Sequence, residues 1–284
     1  MPILFDPQAP QVDFVLHPTD LSEASERAFH HALAIAIRRS AQFTLLHAMG
    51  RRATDNWAGF PSVRTKLAEW RAAGTTDGLE ERIQRTSISK LEVDTPDPVA
   101  ASLEYIERNK VDLIVLATEG RSGLARLVRP SQAEALARRC GVFTLFIPSG
   151  GRTFVDADTG SVTLTRILLP VDPGTDPRPA MLRAVQAAAL LEDPEIEITL
   201  LHVTEDESPP MEPPHLPYCR WHVIKRRGDV VEGILGAADD IDADAIYMST
   251  GWHEGRRSRE RGGTTERVLH GAPCPVAVVP ARAQ

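Results

Sequence analysis

The 284-residue chain carries one pattern twice, and each copy must be able to form the same unit. VDFVLHPTDLSEASERAFHHALAIA, from residue 12, matches TRILLPVDPGTDPRPAMLRAVQAAA, from residue 165, pairing Pro18 with Pro170 and Asp20 with Asp172. FTLLHAM matches ITLLHVT, pairing His47 with His202. PDPVAASLEYIERNKVDLIVLAT matches GDVVEGILGAADDIDADAIYMST, pairing Asp97 with Asp229 and Asp112 with Asp244. EALARRCGVFTLFIP matches ERVLHGAPCPVAVVP, pairing Pro148 with Pro280.

The spacing between copies changes along the chain. It is 155 residues at the histidines and 132 from Asp97 onward, so 155 − 132 leaves the second copy 23 residues shorter. In the first copy that interval includes VRTKLAEWRAA, which has helical patterning. In the second it is EDESPPMEPPHLPYCRW, whose five prolines forbid a helix of any length. The second copy is therefore expected to lack a crossover helix and to bridge the gap with an extended loop.

Each copy reads strand, helix, strand, crossover, strand, helix, strand, helix, strand. FVLHP, FTLLHA, SISKLEV, LIVLA and FTLFIP are short and mostly apolar, as strands covered on both faces must be. The alternation predicts an α/β protein of two tandem doubly wound five-stranded parallel-sheet domains. Expected boundaries are 1–150 and 162–284, joined by 151–161, whose Gly, Ser and Asp content reads as a linker or turn. The two fifth strands, FTLFIP and PVAVVP, are edges that need cover. They are expected to meet each other within the chain or to meet copies in a homodimer.

A net charge of −7 and a pI near 5.7 argue against a general nucleic-acid binder. MPILFDPQAP turns polar too early for a leader, and no apolar run is long enough to span a bilayer. Cys140, Cys219 and Cys274 form no CxxC and fit a reducing compartment, so a cytoplasmic protein with no membrane partner is expected.

HPTDLSEASERA, LLHA, DLIVLATEGRSGLARL and ERVLHGAPCPVAVVP closely resemble the universal stress protein (UspA-like) family. The repeat makes the chain similar to its tandem members. The resemblance implies a five-stranded parallel α/β sheet, a role in stress survival and, in many members, dimers paired through the fifth strand. ATP-binding members carry a Gly-xx-Gly-x9-Gly-Ser/Thr loop after the fourth strand. An Asp after the first strand and backbone at the end of the second hold the adenosine.

By that resemblance the first-half site comprises Asp20, Ala48, Ala117, Gly120, Arg121 and Ser131. Ala117 and Pro130 stand where the loop's first and third glycines belong, and Pro130 also removes an N–H from a cradle that works through backbone donors. Arg121, Arg126 and Arg129 are alternative sources of positive charge. The second-half equivalents are Asp172, Val203, Gly262, Gly263 and Thr264, with Ser249 and Trp252 replacing glycines. The expectation is a degraded adenine-nucleotide site for ATP or AMP in the first half and none in the second.

Each candidate has an alternative structural role. Asp20 and Asp172 suit helix caps or tight turns, and Ser131 with Glu134 forms a capping box without any ligand. His215, Cys219 and His222, with His202 as a fourth, are metal-ligand types, but their spacing matches no zinc finger and chance in a proline-rich loop is the simpler reading. His47 and His202 are expected to pack beside the sheet, and His30 and His31 to face solvent. There is no G-x-S-x-G, Walker A or Rossmann motif, and no nucleophile–base pair stands out. A binding and regulatory protein is therefore expected. The alternatives are a slow ATPase using the arginine-rich loop and a ligand-free interaction module.

Overall fold

A computed structural model describes residues 11–49, 57–74, 78–118, 132–172, 174–191, 195–205, 211, 213, 219–250 and 263–281. The first copy supplies β1 (Phe14–Thr19), β2 (Gln42–Met49), β3 (Ile88–Asp94), β4 (Leu113–Thr118) and β5 (Thr144–Pro148). The second supplies β6 (Arg166–Val171), β7 (Ile196–Val203), β8 (Cys219–Arg226), β9 (Ala245–Thr250) and β10 (Val276–Pro280). The chain folds into a mixed α/β structure in which all ten strands join one sheet, in the order β3-β2-β1-β4-β5-β10-β9-β6-β7-β8. Within each copy every pair is parallel. The single antiparallel pair is β5 with β10, where Phe146 faces Val276 and Thr144 faces Val278. The two fifth strands thus cover each other's edges within the chain, and the order is symmetric about that seam.

The paired aspartates turn out to stitch the backbone. Asp112 Oδ2 accepts from the amides of Asp13 (3.0 Å) and Phe14 (2.9 Å), and Asp244 Oδ2 accepts from those of Thr165 (2.9 Å) and Arg166 (2.7 Å). Each locks the start of the first strand of its copy to the fourth. Asp97 and Asp229 are the N-caps of α4 (Pro98–Arg108) and α7 (Val230–Asp240).

Helices cover both faces. One core layer runs beneath α1 (Glu23–Arg39), α2 (Val63–Ala73) and α6 (Arg178–Ala187), from Phe29 and Trp70 to Met181. The other runs beneath α4, α5 (Gln132–Cys140), α7 and α8 (Thr264–Gly271), from Leu16 and Phe146 to Ile246. Both layers are continuous across the seam. Burying each Leu, Ile or Phe is worth about 1.5–3 kcal/mol, so the halves stabilise one another through shared cores.

Between β2 and β3 the chain forms a short 3-10 turn (Trp57–Gly59), α2 and α3 (Leu79–Arg85). Between β7 and β8 the described residues form no helix. β8 still pairs with β7 from Ile196–Cys219 to Val203–Arg226, so the shortened crossover delivers the strand in full register.

One expectation is corrected. His30 and His31 are 5% and 1% exposed rather than facing solvent. α1 lies between the sheet and further elements on its outer side: His31 meets Phe154 edge-on at 4.6 Å, and Phe29 meets Phe60. Residues 151–161, read as linker or turn, begin a packed strap. Phe154, Val155 and Leu164 are buried, and Val155 bridges Val162 across a turn. Trp70 Nε1 donates to Ala157 O at 2.9 Å, and Arg152 donates to Ala238 O and Ala243 O, so the strap is fastened to helices of both halves.

Candidate functional site

The carboxyl ends of β1, β2 and β4 open into a cavity of about 310 Å³, walled by α4 and α5. Ligands of doubly wound sheets bind at this end of the strands. Asp20, Ala48 and Ala117 all line it, so the structure brings together three positions that lie far apart in the sequence. Gly120, Arg121, Ser131, and with them Arg126, Arg129 and Pro130, lie outside the described residues.

Asp20 is exposed at the rim. Its Oδ1 accepts from the amide (3.0 Å) and hydroxyl (2.6 Å) of Ser22, and Ser22 is the N-cap of α1. Asp20 therefore acts on the cap instead of being it. The next residue, Leu21, has φ +60°, a conformation costly for a branched side chain. Ala48 and Ala117 are small enough to leave strand-end backbone accessible to a ligand.

A polar network, missed in the sequence, lies behind this rim. His17 is fully buried, and its Nδ1 lies 2.8 Å from Val115 O. A carbonyl only accepts, so Nδ1 carries the proton and Nε2 is an acceptor. Ser25 Oγ lies 3.3 Å from Nε2 and therefore donates to it. Thr19 Oγ1, 2.8 Å from Ser25 Oγ, then donates to Ser25 and accepts from the Leu21 amide at 3.0 Å. Burial lowers the His17 pKa to about 4, so the ring is neutral at pH 7 and the hydroxyl directions are fixed. Both hydroxyl protons are engaged, and Ser25 and Thr19 retain only accepting capacity. With Asp20, this wall presents acceptors, which suits a ligand bearing N–H or O–H donors. The available sequence signal was His17 and Thr19 at spacing two on one strand face, followed by Ser25 in the first helical turn.

The second copy replaces this wall residue by residue. At an offset of 152, His17, Thr19 and Ser25 become Leu169, Val171 and Pro177. At an offset of 155, Ala48 becomes Val203, and at 132, Ala101 and Ser102 become Gly233 and Ile234. Val203 leans so closely on α7 that a Cβ at Gly233 would lie 2.9 Å from its Cγ2. Asp172 is held by its own turn, accepting from Gly174 N (3.0 Å) and Thr175 Oγ1 (3.1 Å). Gly263 and Thr264 open α8, where Gly263 N donates to Glu266 Oε2 at 2.9 Å. Gly262 and Trp252 lie outside the described residues.

Among the described residues no cluster of metal-ligand side chains forms. Cys219 and His222 are three apart on β8 and so project from opposite faces. His202 sits opposite Lys225, and His215 lies outside the described residues. His47 packs beside the sheet as expected, with Nδ1 donating to Thr19 O at 2.9 Å. All three cysteines are buried and unpaired. Among the described residues no helix is long and apolar enough to cross a membrane.

Comparisons with known proteins agree with this architecture. The sequence profile of the universal stress protein family matches residues 13–148 and 215–280. The structure superposes on that of a universal stress protein from Archaeoglobus fulgidus DSM 4304 with a TM-score of 0.63 and 18% identity, covering 95% of this chain and 97% of that one. A functionally unknown protein from Pseudomonas aeruginosa PAO1 gives a TM-score of 0.60 and 16% identity, covering 95% of this chain and 92% of that one. At these identities the superpositions show the fold. No curated protein sequence matches the chain. The two profile segments span the first copy and the latter part of the second, together more than half of the chain, and the chain belongs to the universal stress protein family.

Proposed function

We propose that this protein acts in the stress response by binding, with one adenine-nucleotide pocket per chain, in the first half. The carrying observation is the first-half wall of Asp20, Thr19 and Ser25, which offers acceptors beside accessible backbone at Ala48 and Ala117. The amino group of adenine and the hydroxyls of ribose are donors of the matching kind. Leu169, Val171 and Pro177 offer no side-chain acceptor in the second half, and Val203 bulks out the strand end there. That half supplies the β10 edge that completes the sheet, and the two domains, 1–150 and 162–284, work as one binding protein in the cytoplasm.

The test is to denature the purified protein, identify released nucleotide by mass spectrometry, and titrate the nucleotide-free protein calorimetrically with ATP and AMP. One site per chain is expected, lost in Ala48→Trp. Two sites would overturn the assignment of the second half. No released nucleotide and no heat at millimolar ligand would overturn the proposal as a whole.

A further inference from the structure

With β5 and β10 paired to each other, the edges of the sheet are its end strands, β3 and β8. An end strand presents a row of backbone N–H and C=O groups that can template a further strand. The Phe43 amide of β2 donates to Ser87 O at 2.7 Å, and Phe43 stands opposite Ile88. In a parallel ladder this turns the backbone of Ser87, Ser89, Leu91 and Val93 toward β2, and that of Ile88, Lys90, Glu92 and Asp94 outward. The side chains of Ile88, Lys90, Glu92 and Asp94 share one face of the strand, and those of Ser89, Leu91 and Val93 share the other. Lys90 Nζ lies 3.3 Å from Glu92 Oε1 and 3.5 Å from the centre of the Trp57 ring.

The charges of this edge are self-complementary. An antiparallel neighbour related by a two-fold axis must use the same outward backbone groups. With the axis at Leu91, Lys90 of each strand faces Glu92 of the other, and the two residues exchange both ladder hydrogen bonds. Moving the axis to Lys90 sets lysine against lysine, and moving it to Glu92 sets glutamate against glutamate. Like charges directly opposite one another destabilise a strand pair, so the charges select one symmetric register. The Lys90 and Glu92 side chains are 48% and 41% exposed. An ammonium has three donors and a carboxylate about four acceptor sites, so their contact within the strand leaves each able to take a second partner. On the other face Leu91, partly buried, meets its own copy, with Val93 on the diagonal. The opposite end of the sheet lacks this complementarity: β8 bears Arg220, His222, Lys225 and Arg226 and no acidic residue, so two copies of it would set basic side chains against basic ones.

We propose that two copies of this chain pair through β3, antiparallel and with Leu91 at the two-fold axis, which joins their ten-stranded sheets into one. β3 runs into Thr95 and Pro96 of the first-half cavity, so the dimer sets two such cavities beside the new seam. Sedimentation velocity of the full chain, from micromolar to near-millimolar concentration, tests it. The expected result is a reversible monomer–dimer equilibrium, with a dimer of twice 31.1 kDa. Lys90→Glu and Glu92→Lys each put like charges opposite one another at both pairs, and each is expected to weaken the dimer by roughly ten- to a hundredfold. Mixed in equal amounts, the two variants meet with opposite charges at both pairs and are expected to recover most of the parent's affinity. Lys90→Pro, which removes one outward N–H and leaves the ladder to β2 whole, is expected to be monomeric. Circular dichroism checks that each variant is folded. A mass of 31.1 kDa at every concentration, a dimer unchanged in the folded single variants, or a mixture that stays monomeric would overturn the proposal. Assemblies that keep growing with concentration would set β3 of one copy against β8 of the next, an open-ended array, and would also overturn it.

Discussion

His270 Nε2 lies 3.1 Å from Glu134 Oε1, and this contact is the pseudo-symmetric image of the ion pair between Arg138 and Glu266. The offset of 132 carries 134 onto 266 and 138 onto 270, so a carboxylate meets a basic side chain twice across the seam. Both copies tie α5 to α8. The carboxylates are the buried partners, with 4% and 9% side-chain exposure, whereas His270 is 54% exposed.

That asymmetry predicts a cost. Arg138→Met strips the cation from a nearly buried Glu266 and is expected to destabilise the fold by about 2–3 kcal/mol. Adding Glu266→Gln removes the orphaned charge while keeping an acceptor for Gly263 N, and should recover most of the loss. Urea midpoints of the two single variants and the double variant measure this. A single variant within about 0.5 kcal/mol of the parent would show that the pair is not a stabilising contact.

The buried histidines predict acid sensitivity. Burial lowers the pKa of His17 and His30 to about 4 and of His31 to about 3, against 6.5 unperturbed. Below pH 6.5 the unfolded chain binds protons that the folded chain refuses. Stability is therefore full above pH 6.5 and falls as the pH drops toward 4, by on the order of 3 kcal/mol for each ring. Denaturation midpoints at pH 7, 6 and 5 should decline steadily. In His31→Phe, which keeps an aromatic ring against Phe154, the slope should fall by up to one proton, about 1.4 kcal/mol per pH unit.

The strands and their succession along each copy were legible because strand and turn signals are local and are written twice. Asp112 and Asp244 stitch the same place in both halves. The burial of His30 and His31 was not legible, because it depends on Phe154 and Phe60 arriving from distant segments. The strap was hidden by its Gly and Asp content, although Phe154, Val155 and Leu164 carried the contrary signal. In the pocket, the resemblance located Asp20, Ala48 and Ala117, but the hydroxyl directions depend on one carbonyl, Val115 O, ninety-eight residues away from His17.

The strap offers a sharp test at Gly160. Its φ is +70°, and a Cβ there would lie 2.5 Å from the indole of Trp70, which is 1% exposed and cannot move aside. Gly160→Ala is expected to cost about 2 kcal/mol or more and to change the near-ultraviolet signal of the tryptophans. Gly150→Ala, with open space around its Cβ, is the control and should stay within about 0.5 kcal/mol of the parent. Equal effects at the two positions would mean that the strap does not bear on Trp70 in solution.

The proposed closure of the second-half pocket rests on a size exchange. Ala48 and Ala101 of the first half correspond to Val203 and Gly233 of the second, and Val203 lies against Gly233. Ala in place of Gly in a helix interior gains about 1 kcal/mol in propensity, but in Gly233→Ala the new methyl meets Val203 Cγ2 at 2.9 Å. The single variant should therefore gain nothing or lose about 1 kcal/mol. In a Val203→Ala background the obstruction is gone, and Gly233→Ala should stabilise by about the full propensity difference. A coupling of about 1–2 kcal/mol in this double-mutant cycle is the expected result. Additive effects would show that Val203 does not press on α7, and the steric account of the closed second pocket would then fail while the loss of its acceptors, at Leu169, Val171 and Pro177, would stand.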